Sequence, residues 1–441
     1  MPINNFGSVC SGIEAASFTL EPLGVNALWL SEIAEYPSRF LAEKYPNHPN
    51  LGDMNEIPNL LLSEHIEAPD MLVGGTPCQA FSLAGWRNGV NDVRGQLTLK
   101  YIDIIDALDA KRAEREQENA VFFWENVEGA LTDKTNAFGC FLAGLAGLDN
   151  PVQTEAGKFK SAGVLYGPKR NIAWRVFDAK YFGVPQQRKR VYVLGGGKNF
   201  HPEHILLEMG QTFQDPYKLT EEPKERDLFF CAEQEYNINQ DIIKTLRRTI
   251  NGHDIEIFRC YSDCLYAAYG TKWNGNAAAF NGSLFVSQDG RLRRLTPLEC
   301  ERLMGFPDNY TAIAKPRMTN RYQATGNSWA VPVVRWIMAR LLEATNNGNI
   351  HKIILPAPTI VKKDYTLYQF DDFTPVGTLF LNASNCCYDF TLSNMLDIVD
   401  TEPDEKLYIS KAGCAGILRR KRERRANMNA RLEMVLENCS I

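Results

Sequence analysis

Met71-Leu72-Val73-Gly74-Gly75-Thr76-Pro77-Cys78-Gln79 is the stretch that decides the fold. Three apolar residues run straight into a Gly-Gly-Thr-Pro turn, which reads as a short buried strand that stops abruptly. Open α/β sheets bind their ligands just beyond the carboxyl ends of such strands. Cys78 stands at that place, and the glycines and Pro77 would hold the turn close to whatever binds there. The other reading of Cys78 is a buried structural thiol at a turn.

Working outward, Leu28 to Leu30, Val121 to Trp124 and Val191 to Leu194 also read as buried strands. Tyr36 to Tyr45 and Leu97 to Leu108 carry the longer period of helices between them. Strands alternating with helices predict an α/β fold with a doubly wound, mostly parallel sheet. The alternation fades after Gly197. From there to about Asp289 the chain is irregular, with Asn, Gly and aromatic residues interleaved. Helical patterning returns at Thr296 to Met304 and at Val331 to Leu342. A stretch with Asn346, Asn347, Gly348, Pro356 and Pro358 reads as a linker.

Two further segments lie at strand ends. Glu125, in Trp124-Glu125-Asn126-Val127, would share a pocket with Cys78 if the two strands are neighbours; a plain helix cap is the alternative. Arg188 and Arg190 precede the strand Val191 to Leu194 at alternate positions, and so share a face if the segment is extended. They read either as an anion or base-edge clamp or as a salt-bridged edge strand.

Composition sets the bounds. The chain has 441 residues, 44% hydrophobic and 23% charged, enough for two or three domains with ordinary cores. No run is long and apolar enough to span a bilayer, and MPINNFGSVCSG lacks the layout of a signal peptide. Cytoplasmic residence is expected. The eleven cysteines are scattered without a CxxC pair, which argues against a zinc site or a disulfide framework. Free thiols and no metal are expected. A net charge of −5 does not advertise nucleic-acid binding, although basic clusters occur at Arg188 to Arg190, Lys244 to Arg248, Arg291 to Arg294 and Arg419 to Arg425. Such clusters serve as solvated faces or as DNA footprints.

Taken in order, the motifs make the chain resemble the DNA (cytosine-5)-methyltransferase family from about Phe6 to Leu342. GGTPCQAFSLAG matches its Pro-Cys-Gln motif, Glu125 to Val127 its Glu-Asn-Val motif, and Gln186, Arg188 and Arg190 its Gln-x-Arg-x-Arg motif. DVRGQL, ending at Leu97, fits the helix opening that follows the nucleophile. RRLTPLECERLMGFPDNY and Gly326-Asn327-Ser328 match the closing motifs. The opening motif departs: Ser8-Val9-Cys10-Ser11-Gly12-Ile13-Glu14-Ala15 lacks the family's acidic residue and both later glycines.

The resemblance implies a Rossmann-like catalytic domain at 1–197 that resumes at 291–345, with a smaller target recognition domain at 198–290. A linker at 346–361 and an extension at 362–441 follow. It implies Cys78 as nucleophile, Glu125 as acid at nitrogen 3, Arg190 on the base's carbonyl oxygen and Arg188 in support. For the cofactor, S-adenosylmethionine, it implies Ser11, Gly12, Ile13, Glu32, Asp53, Pro77, Leu97 and Asn327, with Glu32 on the ribose and Asp53 on the adenine. Ser82, Gly85 and Gly89 would belong to a lid closing over a flipped base. Double-stranded DNA is the implied partner. A cognate restriction endonuclease is a further one that restriction–modification members of the family suggest, and a monomer is expected. Competing readings are an RNA methyltransferase of the same fold, a non-catalytic DNA-binding module, and a cysteine enzyme acting on free pyrimidine nucleotides. The tail ends in a basic helix candidate: Ser410 would cap it, and Cys414, Ile417 and Leu418 would dock it.

Overall fold

The computed structural model describes residues 2–77, 93–155, 157–210, 245–272, 278–314 and 316–441. Cys78, the candidate lid around Ser82 to Gly89, and much of the expected recognition region (211–244 and 273–277) lie outside them. The chain divides into two compact units. The first is Met1–Asp178, Lys189–Thr212 and Ser328–Asp389; the second is Ala179–Arg188, Phe213–Asn327 and Phe390–Ile441.

In the first unit β1 (Asn5–Val9), β2 (Asn26–Ser31), β3 (Met71–Gly74) and β4 (Val121–Val127) run parallel in the order β2-β1-β3-β4. This is the doubly wound half that the alternating pattern predicts. Its strands are apolar almost throughout because both faces are covered. On one face the helices Ile57–Leu62, Val93–Glu114 and Ala137–Ala146 share a core with Leu72, Phe122, Trp124, Trp174 and Val193. Ala15–Leu20 and Val331–Asn346 pack on each other outside that core. β1 lies between β2 and β3, so the chain reverses its winding there, and the carboxyl ends of β1 and β3 form the switch point at which such sheets bind ligands.

Beyond β4 the sheet turns antiparallel through β5 (Ala162–Tyr166), β6 (Arg170–Asp178) and β7 (Lys189–Gly197), in the order β4-β7-β6-β5. β8 (Glu208–Gly210) starts a separate small sheet.

The second unit is built on β9 (Leu246–Ile250), β10 (His253–Ile257), β11 (Phe285–Gln288) and β12 (Arg291–Arg294), an antiparallel sheet. One of its faces packs Ile255, Ile257 and Val286 against the helices Pro297–Leu303 and Met318–Asn327. The motif RRLTPLE proves to be a device of folding. Arg293 and Glu299, both 0% exposed, form a two-pronged ion pair (2.7 and 3.0 Å), and Thr296 and Glu299 close a capping box on Pro297–Leu303.

The tail forms no body of its own. β13 (Ile360–Val361) and β14 (Thr366–Phe370) extend the large sheet, with β14 antiparallel to β5. β15 (Phe373–Val376) and β16 (Leu379–Asn382) complete the small sheet beside β8. The buried Arg175 locks this segment down, donating to the Ser384 and Cys386 carbonyls (2.7 Å each) and pairing with Glu208 at 3.2 Å. Residues 390–441 belong to the second unit. There Ser410 accepts from the Gly413 N–H at 3.2 Å, and the helix Lys411–Arg424 buries Cys414, Ile417 and Leu418 with Phe258, Phe285 and Leu292. Cap and docking face are as expected. The boundaries at 345 and 361 do not coincide with the division between units, because the tail pairs with strands laid down much earlier.

Candidate active site

The turn after β3 is held rigidly. Thr76 is buried, and its carbonyl accepts from Asn126 Nδ2 at 3.0 Å. Its hydroxyl accepts from Trp124 Nε1 at 3.0 Å and meets the Thr98 hydroxyl at 2.8 Å. Trp124 and Asn126 lie two apart on β4, so both point to the face that carries Thr76. Glu125 points to the other face. Gly75 sits in a tight place: a Cβ would stand 3.0 Å from Trp329 Nε1 and 3.3 Å from both Glu125 O and Oε2. Pro77 follows, and Cys78 is the next residue in the chain.

Glu125 is 8% exposed, and its Oε1 lies 3.2 Å from Nε of Arg190 on β7. Phe123, two residues earlier, stacks with Tyr192 (5.9 Å between ring centroids) and meets Trp329 edge-on at 5.4 Å. By strand alternation Phe123 and Tyr192 share the face of the sheet that carries Glu125 and Arg190. A planar cation and a carboxyl, side by side at a strand end, suit the edge of a flat heterocycle bearing both acceptors and a donor.

Arg188 parts company with Arg190. It belongs to the second unit, is 2% exposed, and donates to the carbonyls of Leu265 (3.1 Å) and Gly326 (3.2 Å). Gln186 beside it is fully buried, donating to the Leu303 carbonyl at 3.0 Å and accepting from the Leu265 N–H at 2.8 Å. The shared face anticipated from alternate spacing needs an extended strand, and β7 begins only at Lys189. Asn327, the last residue of Met318–Asn327, also belongs to the second unit and is exposed.

At the ends of β1 and β2 the loop Cys10–Glu14 wraps Glu32. Oε2 of Glu32 accepts from the Gly12 N–H at 2.9 Å, and Oε1 accepts from Ile33 N at 2.9 Å and Ala34 N at 2.8 Å. Ser11 joins the strands, exchanging N–H to Ser31 O and accepting from Ser31 N, both at 3.1 Å. Ile13 is buried, whereas Ile33 beside Glu32 is 74% exposed. Asp53 is exposed and caps the turn Met54–Glu56, with Oδ1 taking both Asn55 bonds at 2.9 Å. Leu97 is half-buried one residue before Thr98.

The missing glycines have a structural counterpart. Cys10, Gly12 and Glu14 all adopt positive φ (52°, 57° and 55°), so the loop keeps a left-handed path with side chains on it. Glu14 is 1% exposed and accepts from Ser17 N (3.0 Å), Ser17 Oγ (3.1 Å) and Ser8 Oγ (3.0 Å). Burial pushes its carboxyl up to about 7, against those hydrogen bonds, which pull it down. Burial, with the Glu32 charge adding, pushes the Cys10 thiol up to about 12. Burial likewise raises Cys140, Cys300, Cys387 and Cys414, and all nine described cysteines are free. Thiols held protonated this way are poor nucleophiles.

His201, Glu203 and His204 bring three potential metal-ligating atoms within 4.8 Å of one another. Nδ1 of His204 already accepts from the Ile353 N–H at 3.1 Å, and Glu203 Oε1 accepts from Tyr166 at 2.9 Å. The group ties the segment before β13 to the sheet. Among the described residues no helix is long and apolar enough to cross a membrane.

A family model described as C-5 cytosine-specific DNA methylase matches residues 4–343. The chain belongs to that family. Its curated relatives include the type II methyltransferase M.HhaI of Haemophilus parahaemolyticus, 26% identical over 77% of this chain and 95% of that one. M1.ScrFI of Lactococcus lactis subsp. cremoris is 28% identical over 72% of each chain. A protein of Escherichia phage P1 named DNA N-6-adenine-methyltransferase is 33% identical over 77% of this chain; the match spans 61% of that protein's length.

Within the methylase pattern, Trp329 is overlooked from sequence, and Asn126, Gln186 and Glu14 stand in matched motifs without a role assigned to them. Strand alternation alone separates Asn126 from Glu125 and would have assigned it to the opposite face. Trp329 and Gln186 are placed by contacts distant in sequence, which leave no local signal, whereas Glu14 is held by its neighbours Ser8 and Ser17.

Proposed function

We propose that the chain transfers a methyl group from S-adenosylmethionine to carbon 5 of a flipped-out cytosine in double-stranded DNA, through a covalent adduct with Cys78. The observation that carries the reading is the joint at β3 and β4: the Thr76 turn, one residue short of Pro77-Cys78, is bonded to Trp124 and Asn126, while Glu125 between them meets Arg190.

Carbon 5 of cytosine is a weak nucleophile. A thiolate at Cys78 adds to carbon 6; the C5–C6 π pair moves to C4–C5 and the C4–N3 π pair to nitrogen 3. Glu125 places a proton at nitrogen 3, and Arg190 donates to the ring's carbonyl oxygen, so the added charge is neutralised in place. Carbon 5, now enamine-like, takes the methyl group. Loss of its proton to a base then expels the Cys78 thiolate, the nitrogen 3 proton returns to Glu125, and the ring is restored. Flipping costs a few kcal/mol, which binding of the extruded base must offset.

When bound, S-adenosylmethionine supplies the electrophilic methyl group on a sulfonium. The residues present fit it. The Glu32 carboxylate, with about four acceptor sites, has three filled by backbone N–H groups, and one remains for a ribose hydroxyl. The exposed Ile33 offers an apolar face beside it, and Asp53 keeps Oδ2 for an amino group. Arg188 keeps a positioning role in its own unit.

A second reading comes from the name of the phage P1 relative: transfer to the N6 amine of adenine. An exocyclic amine has its own lone pair and needs no thiol addition, so that reaction leaves Cys78 without a task. Nucleoside mass spectrometry of DNA treated with the full chain separates the two. Methylation at carbon 5 of cytosine, lost in Cys78→Ser together with covalent capture on 5-fluorocytosine DNA, is expected. N6-methyladenine alone, or a fully active Cys78→Ser, would overturn the proposal.

A further inference from the structure

Between Arg419 and Arg425 six of seven residues are basic, in a chain whose net charge is −5. The helix Lys411–Arg424 turns Cys414, Ile417 and Leu418 inward, and its last two turns with the C-cap Arg425 carry the charges. Arg419, Arg422, Arg424 and Arg425 are exposed. Lys421 is engaged by Glu433 at 2.6 Å, and Glu423 approaches Arg419 only to 3.6 Å. Cations near a helix C-terminus also complement its dipole, but that effect falls off within the last turn and is worth about 0.3–1 kcal/mol each. It does not account for a run this dense.

We propose that the exposed C-terminal end of this helix, through Arg419, Arg422, Arg424 and the C-cap Arg425, is a sequence-independent contact for the phosphate backbone of duplex DNA. The inference rests on the reading of the chain as a DNA methylase. Three features select phosphate. Five of the six cations are arginines, whose planar forks match phosphate oxygens in pairs. The large apolar side chains of the helix, Ile417 and Leu418, are buried, which disfavours a lipid surface. Residues 419–425 rise about 9 Å along the helix, a length over which duplex DNA presents roughly five phosphates. The buried face has a separate duty in the core of the second unit, so removing the segment would test stability and not contact.

The experiment therefore keeps the full chain and replaces Arg419, Arg422, Arg424 and Arg425 by Gln. Affinity for a duplex of about 30 base pairs is followed by anisotropy from about 50 to 200 mM salt, the range in which phosphate contacts separate. The plot of log K against log salt should lose about 0.9 per contact removed, or roughly two to four in slope. The sites methylated and the melting temperature should be unchanged, and a fourfold Arg→Lys variant should restore most of the slope. If the Gln variant melts early, Arg419→Gln with Arg422→Gln serves instead, with about half the change in slope. An unchanged slope in a folded variant overturns the contact while methylation continues. Absence of methylation in the unaltered chain would sink the functional reading and leave the slope comparison standing.

Discussion

Glu125 and Arg190 meet at 3.2 Å although they do not face each other in the sheet. On the antiparallel pair β4–β7, Glu125 is opposite Tyr192 and Arg190 is opposite Val127. The contact is diagonal, two residues off register, within reach only of long side chains. Phe123 and Tyr192 form the adjacent diagonal of the same face, stacked at 5.9 Å between ring centroids.

Glu125→Gln keeps the size of the side chain and removes its acid. The turnover number should fall roughly 10²-fold or more, the range for loss of a general acid. DNA affinity should change little. Arg190→Lys keeps the charge but loses the planar fork, and should slow turnover less. Single-turnover kinetics with a saturating duplex measure both; wild-type rates in Glu125→Gln would remove it from the chemistry.

Gly75→Ala would press a methyl group against Glu125 and Trp329, closer than ordinary van der Waals contact. With a gap of 3.0–3.3 Å, one of them must yield by a few tenths of an ångström. The expected result is a turnover number lowered about tenfold or more, as small misplacements of reacting groups cost. The melting temperature should stay within a few degrees of the unaltered chain. Unaltered turnover would mean that the carboxylate has room to move without consequence.

Glu32→Ala strips the acceptor from Gly12, Ile33 and Ala34 together. Hydrogen bonds to a charged group are worth about 1.5–3 kcal/mol, so affinity for S-adenosylmethionine should drop by roughly 10- to 100-fold. Affinity for DNA should be nearly constant. Calorimetry with S-adenosylhomocysteine, which binds without turnover, provides the check, and an unchanged constant would dismiss Glu32 as a ligand.

Glu14 gives stability a pH dependence of defined sign. Its carboxyl titrates at about 7 folded against 4.5 for the free group, so the folded state binds the proton more tightly. The stabilisation is complete below about pH 4.5 and is lost as pH rises toward 7, with little further change above. Its size is on the order of 3 kcal/mol at about 1.4 kcal/mol per unit. In Glu14→Gln this component should vanish. Urea midpoints of both proteins at pH 5 and pH 8 would show it, and parallel shifts in the two would contradict it.

Much of the first unit was legible because its strands are short, apolar and closed by glycine turns. Met71 to Val73, Val121 to Trp124 and Val191 to Leu194 all lie within strands of the large sheet. Glu125 and Arg190 were legible for the same reason, since residues at strand ends inherit their position from the sheet. The antiparallel continuation through β5 to β7, and β14 beside β5, was not, because those pairings join residues as far apart as Tyr166 and Thr366. Arg188 illustrates the limit of period two: one residue outside the strand, the rule stops applying. The tail looked separate because its own periodicity is weak; its order comes from Arg175, β8 and β12, all distant in sequence.

The tail's double attachment has a consequence for how the protein is made. Neither unit has its full set of strands and helices when the last matched residue of the family, at position 343, has been synthesised. The large sheet still awaits Thr366–Phe370, and the second core awaits Lys411–Arg424 and Ala430–Ser440. At about 5–20 residues per second, the nascent chain would spend several seconds with finished motifs on an unfinished fold. A chain cut before Ala430 therefore lacks part of the second core, and one cut before Thr366 lacks a strand of the large sheet as well.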